Sequence, residues 1–266
     1  MPAIDLGRLK THAARLIEYF DQPEEFVRQL HEMLGFYTNR TIRPAQAAVR
    51  ASLPSYRVPK PVMRQIASEM ESPADQFPLH ATALASALWN ASYLETRLLA
   101  CHLIGFIPPA SAMPLFSLLP EWVQQSKDPE IQAALLTDAL KRLRRENSHV
   151  LLLLIEDLLK SPDHRAQIWG LRALIPLLDE PGFENLPAVF RILRSAVETA
   201  RPSTQMDLQA CLASLERISL TETLHFLREV IAASKNPEML RILRRMLPTG
   251  SPELQAGLRE LLRETI

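Results

Sequence analysis

Ser161-Pro162-Asp163-His164-Arg165-Ala166-Gln167-Ile168-Trp169-Gly170-Leu171-Arg172-Ala173-Leu174-Ile175-Pro176-Leu177-Leu178 is the most informative run in the chain. It opens with a small capping side chain, a proline and an acid. It continues with Leu171, Leu174, Ile175 and Leu178 at helical spacing. The opening has a clear physical sense. A Ser, Asp or Asn side chain accepts the first free N–H groups, proline at the first helical position gives up no hydrogen bond, and an acid there suits the positive end of the helix dipole. The same grammar recurs at Asp128-Pro129-Glu130, Asn236-Pro237-Glu238 and Ser251-Pro252-Glu253, so the spacing predicts an internal helical repeat.

Around these starts the apolar pattern divides into helix pairs. First helices are expected near 77–90, 112–127, 148–160, 184–200 and 219–234. Second helices are expected near 94–107, 130–145, 163–178, 204–217 and 237–247, with a last helix near 252–265 capping the stack. The period is roughly 32–37 residues, in the range of stacked helical repeats. Second helices share an apolar-Gln step at Ile131-Gln132, Ala166-Gln167 and Leu208-Gln209, repeated at Leu254-Gln255. Residues 1–76 are less regular, with helices near 3–20 and 23–35, a helical stretch from Arg40 to Leu53, a break at Pro54–Pro59 and a helix from Lys60 to about Glu71. No Gly/Ser linker interrupts the chain, so residues 1–266 are expected to form one all-α repeat domain.

Composition agrees. The 266 residues are 47% hydrophobic, enough for a core. Seven Gly against 21 Pro invert the usual balance of about 7% to about 5% and disfavour strand-rich folds, which need Gly in turns and bulges. No GxGxxG or GxxxxGK[ST] phosphate loop, HExxH, CxxC or GxSxG occurs, so no cofactor and no metal site is expected. Cys101 and Cys211 lie in apolar runs and read as small buried hydrophobes. No leader or membrane-length apolar run is seen, and a cytoplasmic monomer is expected.

Thirty Lys plus Arg balance 30 Asp plus Glu, but unevenly along the chain. Between Glu32 and Glu69 there is no acid, only Arg40, Arg43, Arg50, Arg57, Lys60 and Arg64. Further clusters are Lys141, Arg142, Arg144 and Arg145, and Arg241, Arg244 and Arg245. Such clusters can bind phosphate. The last two also sit where cations favour a helix C-terminus. Arg165, Trp169 and Arg172 share one helix face and have two readings. The ring stacks on a base or sugar between two phosphate-holding guanidiniums, or it packs between helices under the Arg stems.

Asp163…Ala166-Gln167…Gly170…Ala173-Leu174 resembles the second helix of HEAT repeats, with Gln167 in the usual Arg position, which predicts that the usual Asp–Arg ladder between repeats is missing. Tyr56-Arg57-Val58-Pro59-Lys60-Pro61, followed by Leu88-Trp89…Glu95-Thr96-Arg97-Leu98-Leu99-Ala100…Gly105, resembles the AlkD-type DNA alkylation repair proteins. The resemblance implies a HEAT-like solenoid (an α-α superhelix) that binds double-stranded or structured DNA on a concave face. Trp89, Glu95 and Arg97 match the shared pattern as scaffold residues, with Arg97 also facing the cleft.

The active glycosylases carry a Trp-Trp-Asp-like run opening a second-row helix. Here that region reads Lys127-Asp128-Pro129-Glu130-Ile131-Gln132-Ala133. Asp128 reads as a cap and Glu130 as solvent-facing, leaving them as the weak catalytic candidates. A family Arg is replaced at Gln167 or Ile168 and a Trp near Ser214, while Arg217 matches a basic residue. The leading expectation is therefore a DNA-binding protein without the usual glycosylase chemistry, using Arg57, Lys60, Arg97, Arg165, Trp169, Arg172, Arg217 and Arg245. A protein-binding scaffold and an active alkylpurine glycosylase with rearranged residues are the alternatives.

Overall fold

The computed structural model describes residues 5–38, 53–111, 114–233, 236–246 and 251–264. The helical stretch expected from Arg40 to Leu53 lies, but for Leu53, outside them, as do Arg40, Arg43 and Arg50. The described residues are all-α. They group into two compact units, residues 1–147 and 148–266.

The first unit contains α1 (Leu6–Ile17), α2 (Pro23–Phe36), α3 (Lys60–Gln76), α4 (Pro78–Asn90), α5 (Leu94–Ile104), α6 (Leu115–Gln125), α7 (Pro129–Thr137) and α8 (Lys141–Glu146). Alternate helices stack on one another: α1 on α3, α3 on α5 and α5 on α7 form one layer, and α2 on α4 belongs to the other. The second unit contains α9 (Ser148–Lys160), α10 (His164–Leu178), α11 (Leu186–Glu198), α12 (Gln205–Ile218), α13 (Leu220–Ala233), α14 (Pro237–Met246) and α15 (Pro252–Glu264). Here α9, α11, α13 and α15 stack in sequence, and α10 packs on α12. Two layers of alternating helices in each unit make the internal helical repeat that the punctuation predicted, and they fit the HEAT-like resemblance.

The caps explain most boundaries. Asp128 accepts the Glu130 N–H at 2.9 Å, and the Ser251 hydroxyl accepts the Leu254 N–H at 3.1 Å. One start is shifted. The cap of α10 is Asp163, which accepts the Arg165 N–H at 3.0 Å, while Ser161 turns back to accept the Asp163 N–H at 3.1 Å. The apolar-Gln step also acquires a cause. Gln132 and Gln167 each donate to the carbonyl six residues earlier, at Ser126 and Ser161, over 3.2 and 2.9 Å. The glutamine thus ties the helix to the turn that precedes it.

Two helices differ from expectation. Helix α3 runs through Pro73 to Gln76 instead of stopping near Glu71, because Met70 and Ala74 on its apolar face are fully buried and hold the last turn on its neighbours. The helix expected over 130–145 breaks into α7 and α8. Gly105 at the end of α5 lies so close that a Cβ there would stand 2.0 Å from the Asp138 carbonyl oxygen. The released carbonyls of Leu136 and Thr137 are taken up by Arg144 at 2.8 and 2.9 Å. Arg144 thus serves a helix end, although that end belongs to α7.

Candidate nucleic-acid interface

Units 1 and 2 treat their cations differently. In the first unit, the connector 53–59 docks across the start of α5: the Leu94 N–H donates to the Pro54 carbonyl at 3.0 Å, and the Ser55 hydroxyl donates to Glu95 at 2.8 Å. Arg57 on this connector is exposed and has a left-handed backbone, φ 53°. Its amide donates to the Ser55 hydroxyl at 3.0 Å. Lys60 and Arg64 follow on α3, exposed and one turn apart, about 6 Å along the axis. Helix α3 has no side-chain cap at its N-terminus and no acid in its first turn. Cations at that end oppose the helix dipole, so helix stability does not account for them.

Arg97 does not join this edge. It lies over the Trp89 ring, 4.7 Å from its centroid, and donates to the Trp89 carbonyl at 3.1 Å. Trp89 is buried, stacks on Trp122 with centroids 4.3 Å apart, and donates its indole N–H to Gln125 at 2.8 Å. Burial pulls the Arg97 pKa below the usual guanidinium value. Arg97 is therefore a packing residue of the Trp89–Trp122 stack.

Beyond the Lys60–Arg64 stripe, α3 ends in a cleft of about 590 Å³ facing α8. Arg142 crosses it, bound to Asp75 at 2.7 Å, Glu146 at 2.9 Å and the Phe106 carbonyl. Glu71 also lines the cleft, opposite Lys141 and Arg145. A cleft with both signs of charge is not a selective phosphate site.

In the second unit five arginines are bound by groups of the same unit. Arg172 pairs with Asp207 at 2.8 Å, joining α10 to α12. Arg191 pairs with Glu156 at 2.9 Å, joining α11 to α9, and Arg194 pairs with Glu229 of α13. All three spans are 35 residues. Arg217 binds Asp179 at 2.9 Å and the Ser214 hydroxyl at 3.0 Å, and Arg245 donates to Gln205 at 2.9 Å. The usual Asp–Arg ladder is absent at Gln167, which bonds its own turn at Ser161, and acid–Arg pairs between repeats stand on other faces instead.

Trp169 is 4% exposed. That corrects the expectation of a ring offered to DNA, because stacking a base needs a free face. The alternative reading, packing between helices, fits. Arg165 is exposed, and Arg172 is held by Asp207, so the trio does not act together. Asp128 is buried in its cap, and Glu130 is exposed. Cys101 and Cys211 are buried, with burial raising both thiols, and Cys211 donates to the Leu171 carbonyl at 3.0 Å. Among the described residues no cluster of His, Cys, Asp and Glu could hold a metal, and no helix is long and apolar enough to cross a membrane.

The family model described as DNA alkylation repair enzyme matches residues 31–241. The chain belongs to this family. The match covers the connector, α3 to α13 and half of α14, and so takes in both units. No curated protein matches the chain significantly. Among solved structures, the complex of CpcE and CpcF of phycocyanin lyase from Nostoc sp. PCC7120 aligns with 100% of this chain and 91% of its own at 18% identity. Its TM-score is 0.28, too loose a superposition to carry an argument.

Two features of the site were not legible in the sequence. The Trp89–Trp122 stack joins residues 33 apart, and the ring cluster of His31, Tyr56 and Tyr93 joins α2, the connector and α5. Only Trp89 and Tyr56 stood in a recognisable motif.

Proposed function

We propose that this member of the alkylation repair family binds duplex or structured DNA, acting as one HEAT-like domain over residues 1–266 and without the usual glycosylase chemistry. The observation that carries the reading is the exposed Arg57, Lys60 and Arg64 edge, set against the dipole of α3 in a stretch without acids. Cations placed there have phosphate as their natural partner. Arg165 adds a further exposed contact. Arg217, Arg172 and Arg245 keep a place only if phosphate displaces their present partners, and Trp169 and Arg97 serve as scaffold. The lack of chemistry rests on Asp128 being engaged as a buried cap and on Glu130 standing in solvent.

A salt titration of duplex, bulged and branched DNA tests binding. The expected result is micromolar or tighter affinity at low salt that weakens steeply as salt rises. Millimolar affinity without a salt slope overturns the reading. Release of methylated purine above the spontaneous rate, lost in Glu130→Gln or Asp128→Asn, establishes an active glycosylase instead. A protein partner is the second reading. It is favoured by the groove of about 380 Å³ between α11 and α13, where Phe190 and Phe226 stack with centroids 5.0 Å apart.

A further inference from the structure

The connector 53–59 is fastened by more hydrogen-bonding and ring groups than a surface turn needs. On one side Glu95, 4% exposed, accepts the Ser55 hydroxyl through Oε1, which also faces the Val58 amide at 3.5 Å. Its Oε2 is buried with no hydrogen-bond partner among the described residues. A half-satisfied buried carboxylate costs stability. On the other side the Tyr56 and Tyr93 rings stack with centroids 4.8 Å apart. His31 of α2 packs against both, with Nδ1 2.8 Å from the Tyr56 hydroxyl. Between these fastenings sits Arg57, in a backbone conformation uncommon for a residue with a side chain.

We infer that His31, Tyr56, Tyr93 and Glu95 form a clasp that holds Arg57 in place ahead of the Lys60 and Arg64 stripe of α3, for DNA, without touching it. The inference rests on the DNA-binding reading and adds a positioning role to it. With the clasp open, Arg57 samples many placements while α3 stays packed, and only a fraction of molecules is competent. Apparent affinity then falls by that fraction, while the bound complex makes the same phosphate contacts.

Acid opens the clasp. Burial lowers the His31 pKa. Among the described residues the groups around the ring are Tyr56 on the connector, Tyr93 at the start of α5 and the Glu95 carboxylate beyond Tyr56. Arg28 and Glu32 on its own helix are paired with each other at 3.0 Å. A depressed folded pKa means the docked state loses stability as pH falls below the free histidine value of about 6.5.

The test compares Tyr56→Phe, Glu95→Gln and His31→Gln with the wild-type chain in duplex binding across salt and pH. The expected result is about three- to tenfold weaker binding at unchanged salt slope for Tyr56→Phe and Glu95→Gln. Wild-type affinity should also fall from pH 7.5 to 5.5, against the general gain in positive charge, and that fall should vanish in His31→Gln. A readout without DNA runs alongside. Tryptic cleavage after Arg57 should be faster in Tyr56→Phe and Glu95→Gln, with thermal unfolding little changed. Wild-type affinity for DNA from both substituted chains, with cleavage at the wild-type rate, overturns the clasp. Absence of any duplex binding by the wild type overturns the DNA reading, while faster cleavage still establishes that the connector is fastened.

Discussion

In the first unit Lys60 and Arg64 stand exposed at a helix start, and in the second four arginines are tied into rungs while Arg165 stays exposed at the start of α10. Lys60 and Arg64 stand exposed in the first turns of α3, whereas Arg172, Arg191, Arg194 and Arg217 each meet an acid on another helix of their unit or just beyond its end. The same residue type therefore means different things in the two halves. Position relative to a helix terminus and to the next repeat decides whether an arginine is available, and a count of charges does not.

The comparison breaks most violently at the glycines that let helices touch. In the first unit a Cβ on Gly105 would strike the Asp138 carbonyl, which is backbone and cannot swing aside. Gly105→Ala should cost more than about 3 kcal/mol, read as a fall in the urea midpoint. In the second unit the Cβ of a Gly170→Ala chain would meet the Leu159 side chain at 2.9 Å and stand 3.3 Å from the Ile155 carbonyl oxygen, a far looser backbone approach than at Gly105. That side chain can rotate, and a mid-helix alanine gains up to about 1 kcal/mol over glycine, so the net change should stay within about 1 kcal/mol. Equal losses at the two sites would mean that the α9–α10 crossing is as rigid as the α5–α7 one.

Next in size is the DNA contrast. Replacing Lys60 and Arg64 together by Ala should lower the slope of log affinity against log salt by about 2 and weaken duplex binding by about ten- to a hundredfold at moderate salt. Replacing Arg172 or Arg191 by Ala should leave the slope where it is, since those charges are already neutralised. A loss of slope in the second set would move the interface into the ladder.

The helices were largely legible in the sequence because capping and apolar spacing are local. The starts of α7, α14 and α15 follow directly from Pro after Asp128, Asn236 and Ser251. What failed was set by distance. The break between α7 and α8 comes from Gly105, some thirty residues away, and no local signal at Asp138 announces it. Trp169 and Arg172 share a helix face, yet their fates are set by burial against neighbouring helices and by Asp207, which lies 35 residues on. The acid–Arg pairs on other faces were missed for the same reason. Their partners are separated by one repeat, so each Arg looks like an ordinary surface charge until the neighbouring helix is placed.

The smallest expected effect concerns the rungs themselves. Glu156 accepts from Arg191 and Lys160, and these bonds hold its carboxyl at about 2. A depressed carboxylate stabilises the fold above its free value and loses that contribution as pH falls toward the folded one. Glu156→Gln should therefore cost less than about 1 kcal/mol at neutral pH, as exposed pairs do. It should also flatten the fall in second-unit stability between about pH 4.5 and pH 2. High salt should shrink the neutral-pH difference, because both partners lie near solvent. If Glu156→Gln and wild type lose stability in parallel through that range, the ladder is a set of surface contacts without a share in the fold. The arginines of the second unit would then be as available to phosphate as those of the first.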